Sequence, residues 1–195
     1  MLGVYRGWVR VRARAFSSGA AGAFAEFGAR STLQLPVRLR GEGRIAVGGD
    51  VFVGAGSFLQ VLDGSGDDVA LRIGDGTSIT GDCVLSAASS IRIGRRVLIA
   101  RNVYVADHRH GFADHERAIL DQGVEGIAGV EVGDGAWLGQ NVLIGPGVRV
   151  GRGAVVGANS VVLSDVPDFA VAVGAPARVV ASASGGEDGR GLIAS

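Results

Sequence analysis

Between Glu131 and Asp165 the aliphatic residues Val132, Leu138, Ile144, Val150, Val156 and Val162 recur at every sixth position. Glycine follows at Gly133, Gly139, Gly145, Gly151 and Gly157, and small or branched residues stand at Ala136, Val142, Val148, Ala154 and Ser160. A period of six is neither the 3.6 of a helix nor the alternation of a plain strand. It predicts short strands joined by tight corners, three sides closing a coil of about eighteen residues. Each aliphatic then points inward and stacks on its counterpart one coil along. The fold class expected is all-β, a parallel β-helix of hexapeptide repeats.

The same spacing sets the expected organisation. Val47, Val53 and Leu59 open the coil near Arg44, and slips of two residues precede Ile73 and Ile93. The first slip contains Asp63-Gly64-Ser65-Gly66-Asp67-Asp68, a turn-forming cluster expected to bulge from a corner. From Asp107 to Gly129 the period fails, and it resumes in register at Val130 and Val132. Residues 1–43 are therefore expected to cap the first coil, 44–166 to form the β-helix with an excursion at 107–129, and 167–181 to fold back as a second cap. The polar tail 182–195 is expected to be disordered. Within the first cap, Val9, Val11, Ala13 and Ala15 alternate with arginines as a strand would, whereas Val4, Trp8, Val11 and Ala15 make a helical stripe. The two patterns stay unresolved.

Composition changes this picture little. The 34 glycines show no Gly-X-Y period, so corners account for their excess. A formal net charge of zero predicts neither nucleic acid nor an acidic membrane as partner. The run Arg10, Arg12, Arg14 reads as a solvated face, with an anionic sugar or lipid as the alternative. The single Cys83 reads as corner packing and suits a reducing compartment. No apolar run has the length of a transmembrane span, and Glu26 interrupts the faintly signal-like residues 15–29, so a cytoplasmic protein is expected.

All three histidines, His108, His110 and His115, lie in the excursion. Long loops on rigid scaffolds are where function concentrates. An imidazole near neutral pH suits a general base that takes a proton from a hydroxyl. Catalytic zinc needs three protein ligands, which this one short loop would have to supply alone. The base is therefore favoured, and no metal is expected to be required.

The run VGDGAWLGQNVLIGPGVRVGRGAVVGANSVVLSDVP, followed by GAPARVV, resembles the hexapeptide-repeat O-acetyltransferases, above all those acting on maltose, galactosides and polysaccharides. The likeness covers roughly residues 44–180. It implies a left-handed coil, a homotrimer, acetyl-CoA in a groove between subunits, and transfer to a hydroxyl of a sugar or polysaccharide precursor. By the same resemblance His108, in VADHRH, is the catalytic base. Asp82, His110 and Trp137 fall to the acceptor side, and Gln140, Ala158, Leu163, Ser164 and Arg178 to the coenzyme. Ser164 stands where many relatives carry lysine. Backbone N–H groups near Ala136 and Trp137 are expected to meet the developing oxyanion. Two alternatives remain: a zinc enzyme resembling the gamma-class carbonic anhydrases, and a β-helix serving as a non-enzymatic scaffold.

Overall fold

The computed structural model describes residues 2–63 and 69–182. All of the DGSGDD bulge but Asp63, and the tail beyond Ser182, lie outside the described residues.

The chain opens with helix α1 (Leu2–Ala20) and then winds a coil with one short strand on each of three faces per turn. The first coil comprises β1 (Glu26–Phe27), β2 (Thr32–Leu33) and β3 (Arg38–Arg40), and the second β4 (Ile45–Val47), β5 (Phe52–Val53) and β6 (Phe58–Val61). The third holds β7 (Leu71–Ile73), β8 (Ser78–Ile79) and β9 (Val84–Ala87), and the fourth β10 (Ile91–Ile93), β11 (Leu98–Ile99) and β12 (Tyr104–Ala106). A hairpin of β13 (Arg109–His110) and β14 (Val124–Glu125) interrupts the winding. It resumes with β15 (Val130–Val132), β16 (Trp137–Leu138) and β17 (Leu143–Ile144), then β18 (Arg149–Val150), β19 (Val155–Val156) and β20 (Val161–Val162). Strands β21 (Ala170–Gly174) and β22 (Ala177–Ser182) close the end.

Within a face every coil strand pairs in parallel with its equivalents above and below. On the second face this aligns Leu33, Val53, Ile79, Ile99, Leu138 and Val156 in one buried column. Such burial contributes roughly 1.5–3 kcal/mol per large aliphatic, and each column is shared between neighbouring coils. The corner between the second and third faces requires a left-handed residue in successive coils, at Gly56, Asp82, Asn102, Asn141 and Asn159. Asparagine and aspartate tolerate that conformation better than other side chains. Here it also lets Asn102 Nδ2 donate to Asn141 Oδ1 at 3.2 Å, and Asn141 Nδ2 to Asn159 Oδ1 at 2.8 Å. Cys83 packs at the same corner, its Sγ 3.1 Å from the carbonyl oxygen of Ala100, and burial pushes its thiol pKa up.

Three expectations need correction. The coil starts at Glu26, not near Arg44, because β1–β3 pair in parallel with β4–β6. Phe27, Leu33 and Leu39 do stand six apart, but only Phe27 is followed by glycine, so the signature is faint. The segment beyond Pro167 first continues the coil, β21 pairing in parallel with β19, and only β22 returns antiparallel. Finally, the fold is mostly rather than wholly β. The segment that reads equally as strand and helix is α1, which covers the open edge of β2. Ser17 Oγ accepts the Leu33 N–H at 2.8 Å and donates to Ala13 O at 2.7 Å, so the helix partners an edge amide of the first coil.

Candidate active site

The two slips and the excursion all leave from one corner, between the third and first faces. In the third coil this corner carries extra residues, and the amides of Ala88, Ser89 and Ser90 have no strand to pair with. Buried backbone N–H groups need partners. Asp107, wholly buried at the end of β12, supplies them: Oδ1 accepts from Ala88 N at 2.7 Å, and Oδ2 from Ser89 N at 2.7 Å and Ser90 N at 2.6 Å. The Asp107 carbonyl accepts the Ala128 N–H at 2.8 Å, which closes the base of the excursion.

His108 follows at once. Its Nδ1 lies 2.9 Å from Asp107 Oδ1, and the residue is only 8% exposed. The Asp107 carboxylate has acceptor capacity alone, so the proton between them belongs to Nδ1. That leaves the Nε2 lone pair as the ring's basic site. Beyond it the chain forms the β13–β14 hairpin, with Arg109 Nε 3.1 Å from Glu125 Oε1. Gln122 knits the tip by donating to Asp114 O at 2.8 Å and Arg117 O at 2.9 Å. His110 and His115 are both exposed, and Leu120 projects into solvent at 88% exposure.

The remaining candidates are not gathered around His108 within one chain. Asp82 sits at the second/third corner, across the third face from His108, and its carboxylate is engaged by Arg101. Trp137 points outward on the second face between Leu98 and Val155. Gln140 and Ala158 are exposed at the second/third corner, where Gln140 O accepts the Asn159 N–H. Leu163 and Ser164 are exposed at the third/first corner, and Arg178 is exposed on β22.

Of the amides near the expected oxyanion, the Ala136 N–H donates to Gly133 O at 3.3 Å and the Trp137 N–H to Ala154 O at 2.8 Å, so these two are engaged within the coil. Among the described residues no three His, Cys, Asp or Glu side chains group closely enough to hold a metal ion. Asp107 is the functional candidate that sequence reasoning missed. Its only local signal is an acid directly before the histidine.

Residues 129–164 match the bacterial transferase hexapeptide (six repeats) pattern. A putative lipopolysaccharide biosynthesis O-acetyl transferase of Escherichia coli, WbbJ, is 32% identical over 154 residues, covering 76% of each chain. The chain belongs to the hexapeptide-repeat transferases. A second member, a probable acetyltransferase of Mycobacterium tuberculosis, is 35% identical over 137 residues. Those residues cover 70% of this chain but only 44% of the mycobacterial protein. Among solved structures, a hexapeptide-repeat acetyltransferase from Vibrio cholerae in complex with acetyl coenzyme A superposes with a TM-score of 0.60 at 28% identity. The match covers 83% of this chain and 72% of that one. In this hexapeptide-repeat protein no helix among the described residues is long and apolar enough to cross a membrane.

Proposed function

We propose that this protein is an acetyl-CoA-dependent O-acetyltransferase acting on a hydroxyl of a sugar or polysaccharide precursor, with His108 as general base. The observation that carries the reading is the buried Asp107–His108 pair, fixed at the base of the excursion. Asp107 holds Nδ1 protonated, so Nε2 can take the acceptor proton. The acceptor oxygen then forms a bond to the thioester carbonyl carbon, the C–S bond breaks, and His108 returns the proton to the departing thiolate. A positioned base of this kind contributes about 10²–10⁴-fold, and holding both reactants in one groove adds a proximity term.

A left-handed coil and a homotrimer belong to the same proposal. Gln140 and Ala158 share one corner, while Leu163 and Ser164 share another. In a single prism these corners face apart, but a groove between two prisms can be lined by one corner from each. Arg178 would offer its guanidinium fork to coenzyme phosphate. Asp82, His110 and Trp137 would line the acceptor side. The oxygen acceptor is supported by the name of the Escherichia coli relative, and the acetyl donor by the names of both relatives and by the acetyl coenzyme A bound in the Vibrio structure. CoA thioesters are made in the cytoplasm, where the reaction is placed.

The test is thiol release from acetyl-CoA across a panel of sugars and amino sugars, with wild type and His108→Ala compared. Hydroxyl-dependent release that drops at least a hundredfold in the variant supports the assignment. Equal turnover in both proteins refutes the base, and release only with amino sugars refutes the oxygen acceptor.

A further inference from the structure

The zero net charge of the whole chain conceals a local excess. Residues 1–25 contain Arg6, Arg10, Arg12 and Arg14 and no lysine, aspartate or glutamate. Helix α1 lays Arg10, Arg12 and Arg14 out along its surface. It docks on the coil through Ala13 and Ser17, which are buried, with Val9, Phe16 and Ala20 half-buried beside them. At 3.6 residues per turn, Trp8, Val11 and Ala15 then lie on the opposite side. Trp8 is 55% and Val11 65% exposed, and the Arg12 guanidinium lies 4.5 Å over the Trp8 ring. Arg14 is exposed on the flank of this stripe, while Arg10, three residues before Ala13 and seven before Ser17, is exposed toward the coil side, beside Thr32 and Gln34.

A tryptophan and an aliphatic turned to solvent, edged by arginines, have the make-up of a helix that lies in a lipid headgroup layer. The tryptophan ring suits the boundary between apolar and wet surroundings, and arginine stems reach along it while their charged ends stay hydrated. Positive charges on a helix that carries no acid of its own attract anionic lipid. Pairing with the same face of a second copy is disfavoured, because it would set the same arginines against each other. We propose that the outward face of α1, formed by Trp8, Val11 and Ala15 and edged by Arg12 and Arg14, docks the protein on an anionic lipid bilayer, with the charge of Arg10 adding to the attraction from the coil side of the helix. This inference stands on the helix alone and does not depend on the acetyl-transfer reading.

The experiment is co-sedimentation of the full chain with two vesicle types. One is phosphatidylcholine alone, and the other contains about one part in three phosphatidylglycerol. Binding to the anionic vesicles only, weakening as salt shortens the screening length, is expected. Arg10→Gln/Arg12→Gln/Arg14→Gln should lower partitioning on the order of a hundredfold, and Trp8→Ala by about tenfold. Neither change touches the core of the coil, and thermal melting of the variants checks that. The proposal is overturned by any of three results: no binding, equal binding to both vesicle types, or binding insensitive to the arginine changes. Gel filtration decides the remaining case: if Trp8→Ala alters the oligomeric state while wild type ignores vesicles, a second copy covers the face and the lipid proposal is wrong.

Discussion

Asp107 Oδ1 lies 2.9 Å from His108 Nδ1 while the same carboxylate accepts three backbone N–H groups from the neighbouring coil. The base is thereby tied to the coil and not to the hairpin that follows it. Asp107→Asn puts an NH₂ group where only acceptors fit, so it must face either Nδ1–H or the amides. Turnover in acetyl transfer is expected to fall by about a hundredfold or more, with little change in the KM for acetyl-CoA and an altered pH–rate profile. Asp107→Ala should in addition lower stability by about 3 kcal/mol, since it leaves buried amides unpaired. Wild-type kinetics in Asp107→Asn would show that the carboxylate only shapes the corner.

Asn141 combines a left-handed backbone with hydrogen bonds in both directions along its corner. Asn141→Gly removes only the ladder, while Asn141→Ala also adds strain of about 1–2 kcal/mol. Urea unfolding should therefore rank wild type above glycine and glycine above alanine. An alanine variant as stable as the glycine one would mean that the corner relaxes freely.

The buried Cys83 thiol, its pKa raised by desolvation, should resist alkylation. Iodoacetamide labelling of native protein near neutral pH is expected to be slow and to become rapid on adding denaturant. Labelling that is fast without denaturant would contradict the packing described for this corner.

Asp134 accepts the Arg95 N–H at 2.8 Å and pairs with the Arg95 guanidinium, which together hold its carboxyl pKa below the usual value. A depressed folded-state pKa gives stability that is present above the unfolded value, near 3.9. That stability is lost as the pH falls through the folded value. The melting difference between wild type and Asp134→Asn should thus be positive at neutral pH and close below about pH 4. A difference that persists in acid would point to shape rather than charge.

The coil was legible because stacking one aliphatic on the next imposes the period of six directly on the sequence. Its first turn was harder to see, since Gln34 and Arg40 stand where glycine would mark the corner. The α1 segment was ambiguous for a physical reason: its arginines alternate at every second residue, while Trp8, Val11 and Ala15 keep helical spacing. Only the edge of β2, which needs a cover, decides between them. Asp107 was missed because its partners are amides 17 to 19 residues earlier, brought close only by winding one full coil. The coenzyme residues Gln140, Ala158, Leu163, Ser164 and Arg178 could be named from resemblance, but their separation onto different corners appears only in three dimensions.

The hydrogen bond from Ala128 N to Asp107 O joins the two ends of the excursion to each other. What lies beyond His108, from Arg109 to Ile127, behaves as a detachable cassette: closing a loop costs only slightly more as it lengthens, and the base itself stays with the coil. A variant chain could exchange this stretch for one of another length and keep every rung of the coil beneath it, so new acceptor preferences can arise there without the scaffold having to be rebuilt.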